Sequence, residues 1–442
     1  MQPLELARQI VSTLKARGHQ AYFVGGCVRD MLLGGQPKDY DIATDARPAE
    51  ITALFPDSDL VGAHFGVVLV RAAGAQVEVA TFRSDHAYLD GRHPVSVEFE
   101  TDPRQDVLRR DFTINALLLD PDRDEVLDFV GGRDDLRNRL VRAIGDPETR
   151  FREDHLRLLR AVRFAARLEY EIETGTLEAI RRLHHLILKV SAERVRDELI
   201  RILTEGRARR GFELLDETGL LADLLPEVAA MKGVAQPPEY HPEGDVWIHT
   251  LLLLEKLENP SVALAMGALL HDVGKPPTFR VAERIRFDGH VEKGVEMATA
   301  MMNRLRFSGD QIRQATALIA NHMRFKDVAQ MKESTLKRFL RLENFPEHLE
   351  LHRLDCLSSH GHLDHYELMK QKWEEMPPGE LKPPPLVTGQ DLIAAGYQPG
   401  PAFARMLAAV EDAQLESRIR TREEALELVR ESFRMPDGSP AG

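Results

Sequence analysis

Apolar residues fall in short runs over roughly the first third of this chain and in helical stripes through the remainder. Ala21–Val24, Val67–Val70, Val77–Ala80, Asn115–Leu119 and Val126–Phe129 are short, apolar and partly β-branched, which predicts about five strands. Turn signals lie between them at Gly34-Gly35, Ala73-Gly74 and Gly131-Gly132. The first fifteen residues, Met1 to Lys15, read as an amphipathic helix with no signal-peptide pattern. From Glu148 the pattern becomes almost continuously helical, with few glycines. Pro237-Pro238 and the stretch Tyr240–Asp245 interrupt it, and a second helical block runs to about Glu375. A proline-rich link, Met376 to Pro385, precedes a last segment that ends in a helix from about Arg422 to Phe433. The class expected is α+β: a head with a mixed sheet, then an all-α region. The expected boundaries are 1–145, 146–236, 237–376 and 377–442, with Pro436–Gly442 disordered.

Composition changes this picture little. The 442 residues suffice for roughly three domains with buried cores. No apolar run reaches the ~18 residues that a membrane helix needs, so no membrane partner is expected. Two cysteines, Cys27 and Cys356, offer neither a disulfide framework nor a zinc spacing, which suits a reducing, cytoplasmic setting. A net charge of −13 argues against a nucleic-acid partner unless positive charge is concentrated locally, as it is between Arg150 and Arg167.

The candidate chemistry begins at Gly25-Gly26-Cys27-Val28-Arg29-Asp30, just after the strand Ala21–Val24. A turn without Cβ atoms lets a phosphate come close, and the following helix, from about Val28, aims its N–H groups at the same place. Asp39 and Asp41 are two apart, so on an extended segment both carboxylates share a face, as Mg²⁺ requires when it also holds substrate phosphates. Lys38 is a cation beside them, and Glu78 is a candidate third carboxylate with a solvent-facing strand residue as its alternative. Arg109-Arg110-Asp111 could clamp phosphate and ribose, or form a surface ion-pair cluster. Ser84–Gln105 reads as a mobile loop. Asp154 and Arg157, three apart on a helix, could read the edge of a base; spacing alone favours a salt bridge between them. Glu193–Glu198 is equally open, with helix capping as its plain reading.

A second constellation is independent of the first. His249 lies in a helical stretch, His271-Asp272 ends an apolar run, and His290, His322 and Asp355 follow at wide intervals. Imidazoles with carboxylates suit a metal centre that activates water. His64, His155 and His184 read as structural.

The motifs Gly25–Asp30, Asp39–Asp41, Arg109–Ala116 and Glu153–Arg157, in this order, resemble the class II tRNA nucleotidyltransferase and bacterial poly(A) polymerase superfamily. His249 to Asp355 resembles an HD phosphohydrolase domain, and Pro385–Leu392 the C-terminal region of such proteins. The resemblance implies a polymerase β-like nucleotidyltransferase head, a helical neck and body that bind nucleotide and RNA, an HD domain and a helical tail. It implies template-independent addition of C and A from CTP and ATP to the 3′ end of tRNA. Asp39 and Asp41 would bind Mg²⁺; Gly25, Gly26 and Arg29 would cradle phosphates; Arg110 and Asp111 would hold ribose and nucleotide. Asp154 and Arg157 would act as the template for the base, which displaces the salt-bridge reading, with Arg160 in support and Glu193 and Arg194 as a brace. The element near Asp90–Arg92 would take part in the switch to A addition. His249, His271, Asp272 and Asp355 would hold a divalent metal of unspecified identity, with His290 and His322 completing a two-metal site and giving a second, phosphohydrolase activity. The alternatives are a poly(A) polymerase or A-adding partial enzyme, and an HD phosphohydrolase whose N-terminal unit binds RNA. Leu60–Gly66 lacks the basic cluster associated with poly(A) polymerases, which favours tRNA.

Overall fold

The computed structural model describes residues 1–61, 65–88, 91–92 and 94–433. The expectations for Gly62–His64, Asp90 and Pro436–Gly442 therefore lie outside the described residues. The chain forms two compact units. The first holds Met1–Lys232 with Leu257–Val262 and Ala300–Ser308; the second holds Gly233–Lys256, Ala263–Thr299 and the chain from Gly309 onward.

The first unit opens with the helix Pro3–Ala16, whose Leu6, Ala7, Ile10, Val11 and Leu14 are buried at helical spacing. The strands are β1 (Ala21–Val24), β2 (Asp41–Thr44), β3 (Ser58–Leu60), β4 (Val67–Ala72), β5 (Ala75–Thr81), β6 (Arg83–Tyr88), β7 (Pro94–Phe99), β8 (Leu118–Asp120) and β9 (Glu125–Leu127). Among the described residues, seven of them build one sheet in the order β3-β4-β5-β2-β1-β8-β9. It is mixed, because β2 runs parallel to β5 while β1 is antiparallel to both β2 and β8. All five expected strands are present, Ala21–Val24 at its expected bounds and the other four with shifted ends; Asn115 itself sits in the one-turn helix Thr113–Asn115. The two additional strands, β2 and β3, have four and three residues, too few to show a period.

Ser84–Gln105 is not a loop. Its larger part is the antiparallel hairpin β6–β7, paired from Arg83↔Phe99 to Tyr88↔Pro94. The alternation Val95-Ser96-Val97-Glu98-Phe99 is a strand pattern that the polar composition of the segment conceals. After β9 the unit is largely helical. Helices Arg157–Leu168, Ala192–Thr204 and Ala208–Glu217 meet at Gly211, where a Cβ would lie 2.4 Å from Ile202 Cγ2 and 3.6 Å from the Ala166 methyl.

In the second unit the helix Val262–Leu270 is buried from Ala263 through Leu270, so its apolar run is a core helix and not a stripe. Helices Val246–Glu255 and Phe345–Ser358 pack together and carry His249 and Asp355. Gly274 follows the core helix, and a Cβ there would fall 2.1 Å from the carbonyl oxygen of His290 and 2.6 Å from the nitrogen of Gly294. Only glycine allows this backbone approach, which brings His271-Asp272 against the helix His290–Arg304. The final helices, Ala402–Leu415 and Arg422–Ser432, share a core built on Met406, Val410, Ala413, Ala425 and Val429.

Gly211→Ala is expected to lower the stability of its unit by about 1–3 kcal/mol, because overpacking outweighs the gain in helix propensity. Gly309→Ala, which adds a methyl to open space, should stay within about 0.5 kcal/mol. Thermal melts of the two variants check both.

Candidate active site and metal centre

Strand pairing assembles the first site. Val24 pairs with Asp41, and Asp41 pairs with Glu78 across the parallel β2–β5 ladder. The end of β1, the start of β2 and the exposed Glu78 therefore lie abreast. Asp39 precedes β2 by two residues and is exposed. Gly25 turns the chain out of β1 at φ +80°, and a Cβ there would meet Asp41 Oδ2 at 3.6 Å and Arg110 Nη1 at 3.8 Å. The helix Gly26–Leu32 begins directly after it. The Asp41 carboxyl is pushed up to about 6. Protein crowding that displaces bulk water is the largest cause; the charges of Glu78 and Asp39 add to it, and Arg110 opposes it. Oxygen donors that repel one another in this way fit a hard divalent cation.

Arg110 is held from behind. Asp106 is 1% exposed, and its Oδ2 accepts from Arg110 Nη2 at 2.7 Å while its Oδ1 accepts from Arg109 Nη2 at 2.5 Å. Burial raises the Asp106 carboxyl, but the two guanidiniums outweigh it and bring it down to about 2. One carboxylate thus anchors two cations and leaves a surplus positive charge. No motif marks Asp106, although its spacing of three and four residues before the arginines is a legible signal.

Arg29 is 2% exposed, with its Nη1 donating to Asn115 Oδ1 at 2.6 Å, its Nε donating to Asp30 Oδ1 at 2.8 Å, and its guanidinium over the Phe164 ring. Asp111 Oδ2 accepts from Arg160 Nη2 at 2.6 Å, while Oδ1 takes the N–H of Phe112 at 2.8 Å and Asn115 Nδ2 at 3.2 Å. Arg160 and the buried Arg163 both face Glu198, at 3.9 and 2.6 Å.

Asp154 and Arg157 do not share one helix. The helix Pro147–Glu153 ends at Asp154, which is extended at φ −137°, ψ 105°, and the next helix starts at Arg157. The break has a visible cause. The His155 N–H donates to Gly91 O at 3.1 Å, and Phe151 O, its partner in an unbroken helix, faces His155 Nδ1 at 2.9 Å. The two candidate base-reading residues consequently do not bond to each other through their side chains. Asp154 Oδ2 accepts from Arg194 Nη2 at 2.9 Å, and Arg157 donates to Glu153 at 2.8 Å and to Arg109 O at 2.8 Å. Both line a cavity of about 280 Å³ with Arg83, Arg109 and Arg194. Asp85 and Arg92 complete its charged wall. The hairpin residues Arg83 and Asp85 are further members that the motifs did not flag.

The second unit gathers all six residues expected there. His271 Nε2 lies 3.2 Å from Asp272 Oδ2, and His249 Nε2 lies 3.1 Å from Asp355 Oδ1 and 3.3 Å from His271 Nε2. The other oxygen of Asp272 faces His290 Nε2 at 3.9 Å and His322 Nε2 at 3.8 Å. Asp272 thus stands between two imidazole groups, with Lys275 Nζ 2.6 Å from its Oδ2. The Nδ1 atoms of His271, His290 and His322 each face a main-chain carbonyl, at 3.0, 2.9 and 2.7 Å, so each Nε2 lone pair turns inward. Nε2 of both His290 and His322 is buried with no hydrogen-bond partner among the described residues. Burial pushes His322 down to about 4, favouring the neutral ring that binds metal. His249 goes the other way, up to about 9: burial alone would lower it, but Asp355 and Glu243 prevail. Buried, inward-facing nitrogens with carboxylates fit divalent metal ions. Beside them lies a cavity of about 900 Å³ lined also by Lys275, Arg284, Arg286 and Lys326.

Residues 21–142 match the poly A polymerase head domain family, 169–232 the probable RNA and SrmB-binding site of polymerase A, and 244–357 the HD domain family. The CCA-adding enzyme of Lactobacillus helveticus (strain DPC 4571) is 39% identical over 254 residues, 56% of this chain and 63% of that one. The CCA-adding enzyme of Geobacillus stearothermophilus is 43% identical over 222 residues, 50% of this chain and 55% of its own. The aligned stretch thus spans less than two thirds of either relative. The crystal structure of the Bacillus stearothermophilus CCA-adding enzyme in complex with CTP superposes with a TM-score of 0.72 at 27% identity, covering 98% of both chains. The Thermotoga maritima CCA-adding enzyme complexed with tRNA shares the fold, with a TM-score of 0.60 at 20% identity over 97% of this chain and 95% of that one. The order of these head, RNA-binding and HD segments along the chain, with the likeness to CCA-adding enzymes, supports the class II nucleotidyltransferase superfamily.

Proposed function

We propose that this chain adds C and A residues from CTP and ATP to the 3′ end of tRNA, without a nucleic-acid template, in the cytoplasm. The observation that carries this reading is the ladder Val24↔Asp41↔Glu78, which places crowded carboxylates beside the Gly25 turn and Arg110. The similarity to CCA-adding enzymes supports the same reading. Residues 1–145 are the nucleotidyltransferase head, 146–236 the neck and body, 237–376 the HD domain and 377–442 the tail.

Asp39 and Asp41 would hold Mg²⁺, with Glu78 beside them; the ion would supply a lower pKa for the attacking hydroxyl and neutralisation of charge on the triphosphate and the leaving pyrophosphate. The chain's own part is positioning. Gly25 and Gly26 admit the phosphates close to the backbone, and Arg110, anchored by Asp106, lies against them. Arg29, turned inward, supports the turn from below. Asp154 and Arg157 present an acceptor and a planar donor to the base, Arg194 and Glu153 fixing their orientations. The Asp111–Arg160 pair secures the start of the second helix behind them. A second reading has its own support in the buried nitrogens around Asp272: the HD domain binds divalent metal and hydrolyses phosphoesters. Its mixed nitrogen and oxygen donors suit a transition metal better than Mg²⁺.

Sequencing the 3′ end of tRNA after incubation with CTP, ATP or both tests the main reading; A tracts from ATP alone would instead indicate a poly(A) polymerase. Asp39→Ala should cut incorporation by about 10³-fold or more. Asp272→Ala should leave incorporation within about twofold and abolish phosphoester cleavage. Arg157→Ala should reduce correct incorporation by about 10–100-fold and relax the choice between CTP and ATP, as read by competition assays. Because the Asp41 carboxyl must lose its proton to bind metal, Mg²⁺ affinity should be flat above pH ~6 and fall about tenfold per unit below it. Titrations of Mg²⁺ at several pH values measure this slope.

A further inference from the structure

Of the four imidazoles that are candidate metal ligands in the second unit, three are oriented by main-chain carbonyls, which no substitution removes. His249 is the exception. It sits inside the helix Val246–Glu255, fully buried, and its Nδ1 faces Glu243 Oε1 at 2.7 Å. Glu243 lies in the stretch Tyr240–Asp245 that interrupts the helical pattern, one residue before the segment matching the HD family. Its side chain is only 8% exposed, and its Oε2 is buried without a partner among the described residues. A buried carboxylate with one oxygen unsatisfied is costly, so its other oxygen must perform a task that offsets the cost.

We propose that Glu243 is the positioning residue of this metal centre: its carboxylate takes the Nδ1–H of His249 and thereby fixes the tautomer that presents Nε2 to the metal. The geometry follows the carboxylate–histidine–metal arrangement, in which the outer carboxylate sets ring orientation and increases the basicity of the ligand. On the opposite edge of the ring, Nε2 faces Asp355 at 3.1 Å, His271 at 3.3 Å and Asp272 at 4.0 Å, which is the ligand cluster itself. His241 shares the same Glu243 oxygen at 2.9 Å and stands edge-on to His249 with ring centroids 5.0 Å apart. It therefore fixes the carboxylate from its other side. A second arrangement fits the same three residues, since the ligating atoms of His241, Glu243 and His249 could themselves surround an ion. The carboxylate's place on Nδ1, away from the inward-facing Nε2 atoms, favours the positioning role.

The inference rests on the metal-centre reading, and the experiment separates the two. Mn²⁺ binding to the full chain is measured by calorimetry for the wild type, Glu243→Gln and His241→Ala, with Asp39→Ala present throughout to remove the other site. Wild-type-like binding that is lost in Asp272→Ala establishes the centre; its absence would sink both the centre and the inference. Glu243→Gln should then weaken Mn²⁺ by about 10–100-fold, and nitrogen-15 histidine spectra of the chain loaded with diamagnetic Zn²⁺ in place of Mn²⁺ should show His249 losing its single Nδ1–H tautomer. In the Asp39-intact background, Glu243→Gln should leave CTP and ATP incorporation unchanged, which shows that the chain still folds. If Glu243→Gln binds Mn²⁺ within twofold of wild type, with His249 in the same tautomer, the inference is wrong. It is equally wrong if His241→Ala lowers the number of bound Mn²⁺ ions by one, because Glu243 would then be a ligand. Should Glu243→Gln fail to fold, Glu243→Asp provides the same readings with the charge retained and the reach shortened.

Discussion

The ladder that aligns Val24, Asp41 and Glu78 is the constraint on which the first unit depends. Parallel pairing of β2 with β5 fixes two carboxylates side by side, and antiparallel pairing of β1 with β2 fixes the Gly25 turn next to them. Slipping either register by one residue would send the acidic side chains to the other face of the sheet. The arrangement is electrostatically unfavourable in isolation, as the raised Asp41 carboxyl shows. Such crowding persists because the hydrophobic core beneath it, built around Val24, Ala43, Phe82 and Leu118, holds the strands in place regardless.

The second unit solves a similar problem with different means. Its candidate ligands come from five segments far apart in sequence, and packing instead of pairing brings them together. The fully apolar helix Val262–Leu270 delivers His271 and Asp272 to the end of a rigid core element. Gly274 then lets the next backbone approach at a distance that any side chain would prevent. Nitrogens left without partners at such a centre are costly in the folded chain, which is the usual sign that their partner comes from outside it.

Much of this was legible in the sequence, and the residues that were not share a reason. Asp39, Asp41 and the two glycines stood out because adjacent residue types carried the signal. The six histidines and aspartates of the second unit could be named from a motif, although spacing alone said little about them. The hairpin β6–β7 was hidden because charged residues mask a period of two, and the Asp154 turn because its break is imposed by a tertiary partner, Gly91. Asp106 and Glu243 carry no motif signal of their own, because each acts on another side chain instead of on a ligand. Residues of that kind have no motif of their own, and contact geometry is what reveals them.

Asp106 is a residue of this kind. Its two oxygens anchor arginines with different destinations: Arg110 beside the phosphate turn, and Arg109 in the wall of the base cavity. The two subsites are therefore not modular. A substitution that retunes one cation pulls on the shared carboxylate and so on the other. Variation along this part of the chain is confined to changes that both subsites tolerate at once. A single buried acid, chemically silent itself, thus limits how far recognition of the base can drift independently of the grip on the triphosphate.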